Sequence, residues 1–536
     1  MTDKEQMFTG LVFEKRWSLN VQESHLVWML LAFFVSVLVH VAIGYQDLVY
    51  LDRTFLPDDT YYTLSIAKNL ALGRGPSTDG VILTSGFQPL FAFILVPVFW
   101  ILEEGAGPVY AAIALSALFG VVNTCLIGFL IKRITQSYIV ATLAMLFVTS
   151  SPVLLKNNFN GLETSLSSFF ALSLLLLVGV VRKDSPWWHM VIMGICSGLA
   201  LLSRIDNCFI VFLVGVWSIF TLGFKKTVFI VLAALGVVAP WWLYCFFSFG
   251  SVIPESGMAV KQIVGFHQEL HLTLSSSVDK SLLALNRPVS MILDVPVRIY
   301  VVLFLFAIAV SAYRIVKFRR LDEVSMSAIV SVLLFLFYTF YLSAFWFFDR
   351  YYHFLFLCLI VCVAYSWNAV FLWLSRKENV SWFRYASLFL MLCAIVINLT
   401  LLKPLRSSPD SSLYAGDEGA RGYGEVAQEI INELPDGSTI AAMQSGALGY
   451  YANRNIRVIN LDGVVNRNAY LAIKDSQLAE YLRVESVEYF SDWGLNVLML
   501  LRYSGVENYE RLLSPVRNMK PQGQDRFTIY RINESL

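Results

Sequence analysis

Residues 57–90 read PDDTYYTLSIAKNLALGRGPSTDGVILTSGFQPL, and they set an adjacent carboxylate pair, Asp58 and Asp59, just beyond the first long apolar run of the chain. At an apolar boundary an ionised group is costly unless it is solvated, paired or put to use. The pair is therefore the candidate reaction centre. Pro57 blocks helix continuation from its N-terminal side, Asp58 is placed as an N-cap, and Tyr62, Ile66 and Leu70 recur at helical spacing as one apolar face. That pattern predicts a juxtamembrane helix lying on the bilayer surface. Capping accounts for Asp58 and leaves Asp59 without a structural task.

The surroundings of this stretch decide the class. The 536-residue chain is 57% hydrophobic and only 15% charged, with a mean hydropathy of +0.63, more apolar surface than one soluble core can hide. It reads as a polytopic α-helical membrane protein. A net charge of +1 with no basic stripe gives no footprint for nucleic acid. All seven cysteines (Cys125, Cys196, Cys208, Cys245, Cys358, Cys362, Cys393) fall in apolar stretches, so no disulfide framework is available to the aqueous parts. This fits a bacterial inner membrane. Residues 1–25 are polar, carry Lys4, Lys15 and Arg16, and lead into an apolar run without a small-residue cleavage site, which reads as a retained first helix.

Apolar runs of spanning length, about 20 residues each, occur near 26–46, 109–131, 138–155, 162–181, 227–247, 299–316, 325–346, 351–374 and 383–402. Two shorter runs, 187–202 and 207–222, flank a polar break, Ser203 to Asn207. The expectation is about 11–12 membrane helices, with Pro89 to Trp100 ambiguous. Treating that segment as re-entrant puts every basic loop on the side of the N-terminus: Lys132 and Arg133, Arg182 and Lys183, Lys225 and Lys226, Arg314 to Arg320, and Arg376 to Arg384. The excess of positive charge in cytoplasmic loops favours this arrangement. The N-terminus is then cytoplasmic. The outer face holds the loops 47–108 and 248–298, the turn at 156–161, the break at Arg204, the turn at 347–350 and everything beyond Leu402.

Residues 403–536 change character, with charges returning among short apolar runs. Ser438 to Met443, Arg457 to Leu461, Asn496 to Leu500 and Phe527 to Ile532 read as strands, and Glu418 to Leu434 and Ser476 to Val484 as helices. The division is a transmembrane catalytic domain, 1–402, and a periplasmic α/β domain, 403–536.

The ordered set Asp58, Asp59, Tyr62, Gly73, Gly75, Gly86, Pro89 and Leu90 resembles the first outer loop of the GT-C glycosyltransferases, integral membrane enzymes that use polyprenyl-phosphate sugars. The likeness continues in Asn160-Gly161-Leu162-Glu163-Thr164, similar to that family's Asn-Gly-Met-Glu-Thr turn, and in Leu202-Ser203-Arg204-Ile205-Asp206, similar to its Arg-Pro-Asp break. Phe249 to Ser256 resembles a further segment; the departures are Ile205, where the family has Pro, and Glu255, where it has Asn. Tyr450 and Asn460-Leu461-Asp462-Gly463-Val464-Val465-Asn466 look like the tail of mycobacterial-type terminal arabinofuranosyltransferases.

This resemblance implies a GT-C fold and transfer of one sugar from a polyprenyl-phosphate donor to a glycan or protein acceptor at the bilayer. Inverting transfer needs a base within reach of the acceptor hydroxyl. Asp58 takes that role by its place in the motif, and Asp59 orients the acceptor or Asp58. Negative charge developing on the leaving phosphate calls for cations, and Arg204, Arg350 and Lys261 are the outer-facing candidates. Tyr62, Glu163 and Tyr351 complete the expected substrate-binding set. No cofactor is expected. His267 and His271 lie four apart in a loop without an Asp or Cys set beside them, which makes no metal site.

Rival classes fit less well. A transporter or flippase of lipid-linked sugars predicts paired broken helices with mid-membrane polar groups, and an oligosaccharide polymerase or ligase predicts an Arg-rich outer loop.

Overall fold

The computed structural model describes residues 19–102, 104–274, 311–316, 321–342, 349–374, 421–452, 455–505, 512–518 and 527–533, with scattered positions between 305 and 399. Among these, Leu26–Gly44, Ala106–Thr135, Phe224–Phe249 and Arg350–Leu372 are long and apolar enough to cross a bilayer. Tyr138–Ser150 and Pro152–Asn158 have spanning length and composition only when taken together, and they meet at a bend of 67°, the form of a broken span or a re-entrant loop. Ser151 and Pro152 at the joint give the reason, since proline cannot continue the hydrogen-bond ladder. Shorter apolar helices, Thr164–Val180, Trp187–Ser203, Ile205–Thr221 and Glu323–Leu336, pack among them, and Pro89–Ile101 is too short to span. Most of the expected runs at 299–316 and 383–402 lie outside the described residues. A buried apolar cluster from Met29 through Leu174, Trp217 and Leu334 to Val361 holds these helices together.

The tail is a five-stranded sheet with helices. Its strands are β1 (Thr439–Ala442), β2 (Arg457–Asn460), β3 (Tyr489–Trp493), β4 (Leu513–Asn518) and β5 (Phe527–Ile532), in the order β2-β1-β3-β5-β4. β1 pairs in parallel with β2 and β3, and β5 is antiparallel to β3 and β4. The strand expected at 496–500 is instead part of helix Gly494–Ser504. Val497, Leu500 and Tyr503 bury one face of that helix at three-residue spacing, a pattern that a five-residue apolar run does not distinguish from a strand. The strand lies just before it, in Tyr489–Trp493.

Helix Asp58–Ala71 does not lie on an open bilayer surface. Ten of its fourteen residues are buried, because the tail covers it on one side. Tyr62 and Ile66 join Phe87, Ala92 and Val465 in one cluster. A larger cluster runs from Phe55, Tyr61, Phe91 and Phe159 into Val426, Ile430, Ile440, Leu448 and Val458 of the tail. The tail thus shares its core with the membrane half, and this seam carries the residues of interest.

Candidate active site

Asp58 is the first residue of its helix, whose N-cap is Pro57 with no side-chain capping bond. It does cap a helix, but one in the tail. Its Oδ2 accepts the Gly446 N–H and its Oδ1 the Ala447 N–H, both at 2.8 Å, at the start of helix Gly446–Tyr451. The carboxylate is buried at 4% exposure. Burial pushes its pKa up to about 7 against those two bonds, and Asp59 and Asp492 add like charge. Asp462, in the loop after β2, is pushed up to about 8 by burial and by Asp59 and Asp58 nearby.

Tyr62 also turns to the tail. Its hydroxyl donates to the Met443 carbonyl (3.0 Å) and accepts from the Ser445 N–H (3.0 Å) and Asn460 Nδ2 (3.0 Å). Both side chains arrive beyond the carboxyl ends of parallel strands β1 and β2.

Asp59 points the other way and is the more exposed of the pair, its side chain 35% accessible. It forms an ion pair with Arg350 at the start of helix Asp349–Leu374. The Arg350 guanidinium lies 5.4 Å from the Tyr351 ring centre, and that of Arg204 lies 5.5 Å from the same ring. One aromatic ring therefore serves two cations. Arg204 interrupts two helices in extended backbone (φ −158°, ψ 134°) and is buried. Its Nη1 donates to Glu163 Oε1 at 2.7 Å, its Nε to Asp206 at 3.2 Å, and its Nη2 to Tyr338 Oη at 3.1 Å. Arg204, Asp206, Asn207, Arg350, Tyr351 and His353 line one small cavity together with Ser167 and Ser168. His353 is fixed there by a 2.8 Å hydrogen bond between its Nδ1 and Ser168 Oγ.

The structure thus brings together Asp59, Arg350, Tyr351, Arg204 and Glu163, and turns Asp58 and Tyr62 toward the tail. Lys261 stands apart, exposed on helix Glu255–Leu274 with its ammonium 5.1 Å from the Tyr341 ring centre. The side chains of His267 and His271 lie outside the described residues. Among the described residues no three His, Cys, Asp or Glu side chains converge as metal ligands. Glu255, the departure from the family's Asn, is buried and accepts from Thr84 Oγ1 and Ser85 N–H while pairing with Arg467 of the tail at 3.3 Å.

Tyr338 and His353 were not legible as site residues, since each sits in an apolar run without a spacing signal, whereas Asn207 belongs to the polar break at Arg204 and was passed over there. Asp52 had one: it is a charge in a short helix, Leu48–Phe55, directly preceding the carboxylate pair.

No curated protein matches the chain. A family described as a domain of unknown function (DUF8728) matches residues 411–530, essentially the tail. Among solved structures, the oligosaccharyltransferase AglB from Archaeoglobus fulgidus, in complex with an inhibitory peptide and a dolichol-phosphate, superposes with a TM-score of 0.56 at 16% identity, over 95% of this chain and 74% of that one. The Archaeoglobus fulgidus oligosaccharyltransferase in complex with Zn and sulfate gives 0.58 at 15% identity, over 93% and 72%. ArnT from Cupriavidus metallidurans bound to undecaprenyl phosphate gives 0.52 at 14% identity, over 95% and 98%.

The chain has the GT-C fold. Identities this low carry the fold and nothing finer. Within the GT-C frame, the ion pair of Asp59 with Arg350 joins the helix that carries the carboxylate pair to the cavity of Arg204 and Arg350.

Proposed function

We propose that this protein is a glycosyltransferase that moves one sugar from a polyprenyl-phosphate donor to a hydroxyl acceptor, with inversion, at the outer face of a bacterial plasma membrane. The observation that carries this reading is the Asp59–Arg350 pair at the cavity of Arg204, Tyr351 and His353. It sets a partly exposed carboxylate against a guanidinium that can exchange one anion for another. The fold adds support, since AglB was solved with a dolichol-phosphate and ArnT with undecaprenyl phosphate.

The geometry supports a division of roles. Arg204 is held by Glu163, Asp206 and Tyr338, so it anchors the cavity wall. Arg350 is the phosphate residue, because its guanidinium can pass from Asp59 to the lipid phosphate and grip it with a planar fork. That exchange frees Asp59. The freed carboxylate takes the proton of the acceptor hydroxyl as its oxygen bonds to the anomeric carbon, and the bond to the polyprenyl phosphate breaks with the electron pair leaving on the phosphate monoester. Two guanidiniums face three carboxylates here, so the cluster is formally negative before donor binding. Arg350 must therefore change partners for the phosphate to be held. Asp58, the base expected from the motif, becomes the fastener of the tail.

The donor sugar assigned from the likeness of Asn460 to Asn466 is a pentofuranose such as arabinofuranose, and the acceptor is a cell-envelope glycan or protein. Mass spectrometry of lipid-linked sugars in a strain lacking the protein tests the reading. Accumulation of one polyprenyl-phosphate monosaccharide is expected, and an unchanged lipid-linked sugar pool would overturn it.

A further inference from the structure

Two helices of the tail that begin without a side-chain cap of their own face the membrane half. Helix Tyr423–Glu433 starts after Gly422 and helix Gly446–Tyr451 after Ser445, and neither N-cap side chain makes a capping bond. The first amides of any helix lack intrahelical partners and need acceptors. Here the acceptors come from the membrane half, more than 350 residues earlier in the chain. Asp52 Oδ2 accepts the Gly424 N–H at 2.9 Å and the Glu425 N–H at 3.4 Å, while its Oδ1 accepts the Tyr61 hydroxyl at 2.7 Å. Asp58 caps Gly446 and Ala447 in the same way. Arg53 adds an ion pair to Glu425 at 2.8 Å.

The fit is close as well as polar. A Cβ on Gly446 would overlap the Asp58 carbonyl oxygen, and a Cβ on Gly86 would overlap the Val464 carbonyl. Open α/β sheets bind ligands beyond the carboxyl ends of their parallel strands. In this tail that edge receives Asp58 and Tyr62 of the same chain.

The first three residues of helix Asp58–Ala71 are pinned in three directions. Asp58 goes to the tail, Asp59 to Arg350, and Thr60 Oγ1 to the Asn160 carbonyl at 2.6 Å. We infer that the tail is a positioning element for the reacting carboxylate: by capping Gly446 and Ala447, Asp58 fixes the rotation of the helix turn that presents Asp59 to Arg350. Asp58 acts through the backbone of its neighbour and Thr60 locks the same turn from the membrane side. This inference rests on the glycosyltransferase reading for the role of Asp59. The trans-capping itself does not.

The experiment uses the full chain in detergent, with membranes from the deletion strain supplying the accumulated lipid-linked sugar and the endogenous acceptor. Gly446→Ala pushes the tail off Asp58, and Thr60→Val removes the other lock with little change of shape. Hydrogen exchange of the 446–447 amides reads docking, that of helix Ala106–Thr135 reads folding, and the initial rate of donor consumption across pH reads catalysis. Gly446→Ala is expected to lose protection at 446–447 while 106–135 stays protected. Both variants are expected to turn over about 10- to 100-fold more slowly, with the pH profile of the wild type.

Turnover within twofold of wild type in a Gly446→Ala protein whose tail amides exchange freely would overturn the positioning role, and so would full turnover by Thr60→Val. Unchanged protection at 446–447 would overturn the capping itself. A deletion strain with no accumulated lipid-linked sugar would instead remove the glycosyltransferase reading and the catalytic part of the inference, leaving the exchange data to decide the capping alone.

Discussion

Arg350 reaches Asp59 across 291 positions of sequence, joining the first turn of helix Asp349–Leu374 to the first turn of helix Asp58–Ala71. The pair sits where the tail-covered loop meets the cavity of Arg204. On the proposed reading, each partner stands in for what the other meets in turnover, a phosphate for Arg350 and a hydroxyl proton for Asp59.

The two aspartates of the pair are expected to respond differently to the same change. Asp59→Asn removes the base and should lower donor consumption by about two to four orders of magnitude with the melting temperature nearly unchanged. Asp58→Asn sets an amide NH2 against a backbone N–H, and a buried unmet donor costs about 1–3 kcal/mol. It should therefore melt earlier and expose the tail to protease. Thermal melting and limited proteolysis of both variants separate the roles, and a stable, tail-docked Asp58→Asn protein without turnover would return the base to Asp58.

Arginine substitutions divide along the same line. Arg350→Gln should weaken binding of undecaprenyl phosphate, with Arg350→Lys recovering part of it, because lysine keeps the charge and loses the planar fork. Arg204→Gln strands Glu163 and Asp206 in a buried site and should destabilise the protein by about 3–5 kcal/mol. Undecaprenyl phosphate binding measured beside thermal unfolding checks both, and normal binding by Arg350→Gln would move the phosphate to another cation.

Acidity should stabilise the seam. Asp52 and Asp492 are pushed up by burial to about 6, Asp58 to about 7 and Asp462 to about 8. A carboxylate whose pKa is higher folded than unfolded binds more protons in the folded state, so stability falls as pH rises from near 4 through those values. The melting temperature should be higher at pH 5 than at pH 8. Asp58→Asn should flatten that slope, and an upward slope between pH 5 and 8 in the wild type would contradict the origin assigned to it.

Sidedness is testable with single cysteines in a variant lacking the seven native ones. Ser514 is exposed on β4 and Asp184 in the short loop between two apolar helices. A cysteine replacing Ser514 should react with an impermeant thiol reagent applied outside, and one replacing Asp184 only after permeabilisation. Labelling of the Asp184 position alone would invert the topology.

Much of the architecture was legible because hydrophobic length and charge bias act locally along the chain. The carboxylate pair, the Arg204 break and the Glu163 turn stood out as polar residues at apolar boundaries, and three of the five strands announced themselves by composition. What the pair does was not legible. Capping by Asp58 was readable as chemistry, but the capped amides lie nearly 390 positions away, and nothing in residues 57–71 names their partner. Tyr62 read as one face of a surface helix because the tail that buries it is distant in sequence. The helix at 494–504 read as a strand because its apolar run is too short to show a period.

The trans-supplied caps bear on how such tails can be exchanged. A stretch matching residues 411–530 carries its strands and its helices but not the acceptors for the amides of Gly424, Glu425, Gly446 and Ala447. Moved onto an unrelated membrane core, it would arrive with those hydrogens directed at an empty face. A chimera therefore has to cut elsewhere: the transplantable unit is discontinuous, the tail together with residues 48–71, and its natural boundary runs through space where no point along the chain marks it.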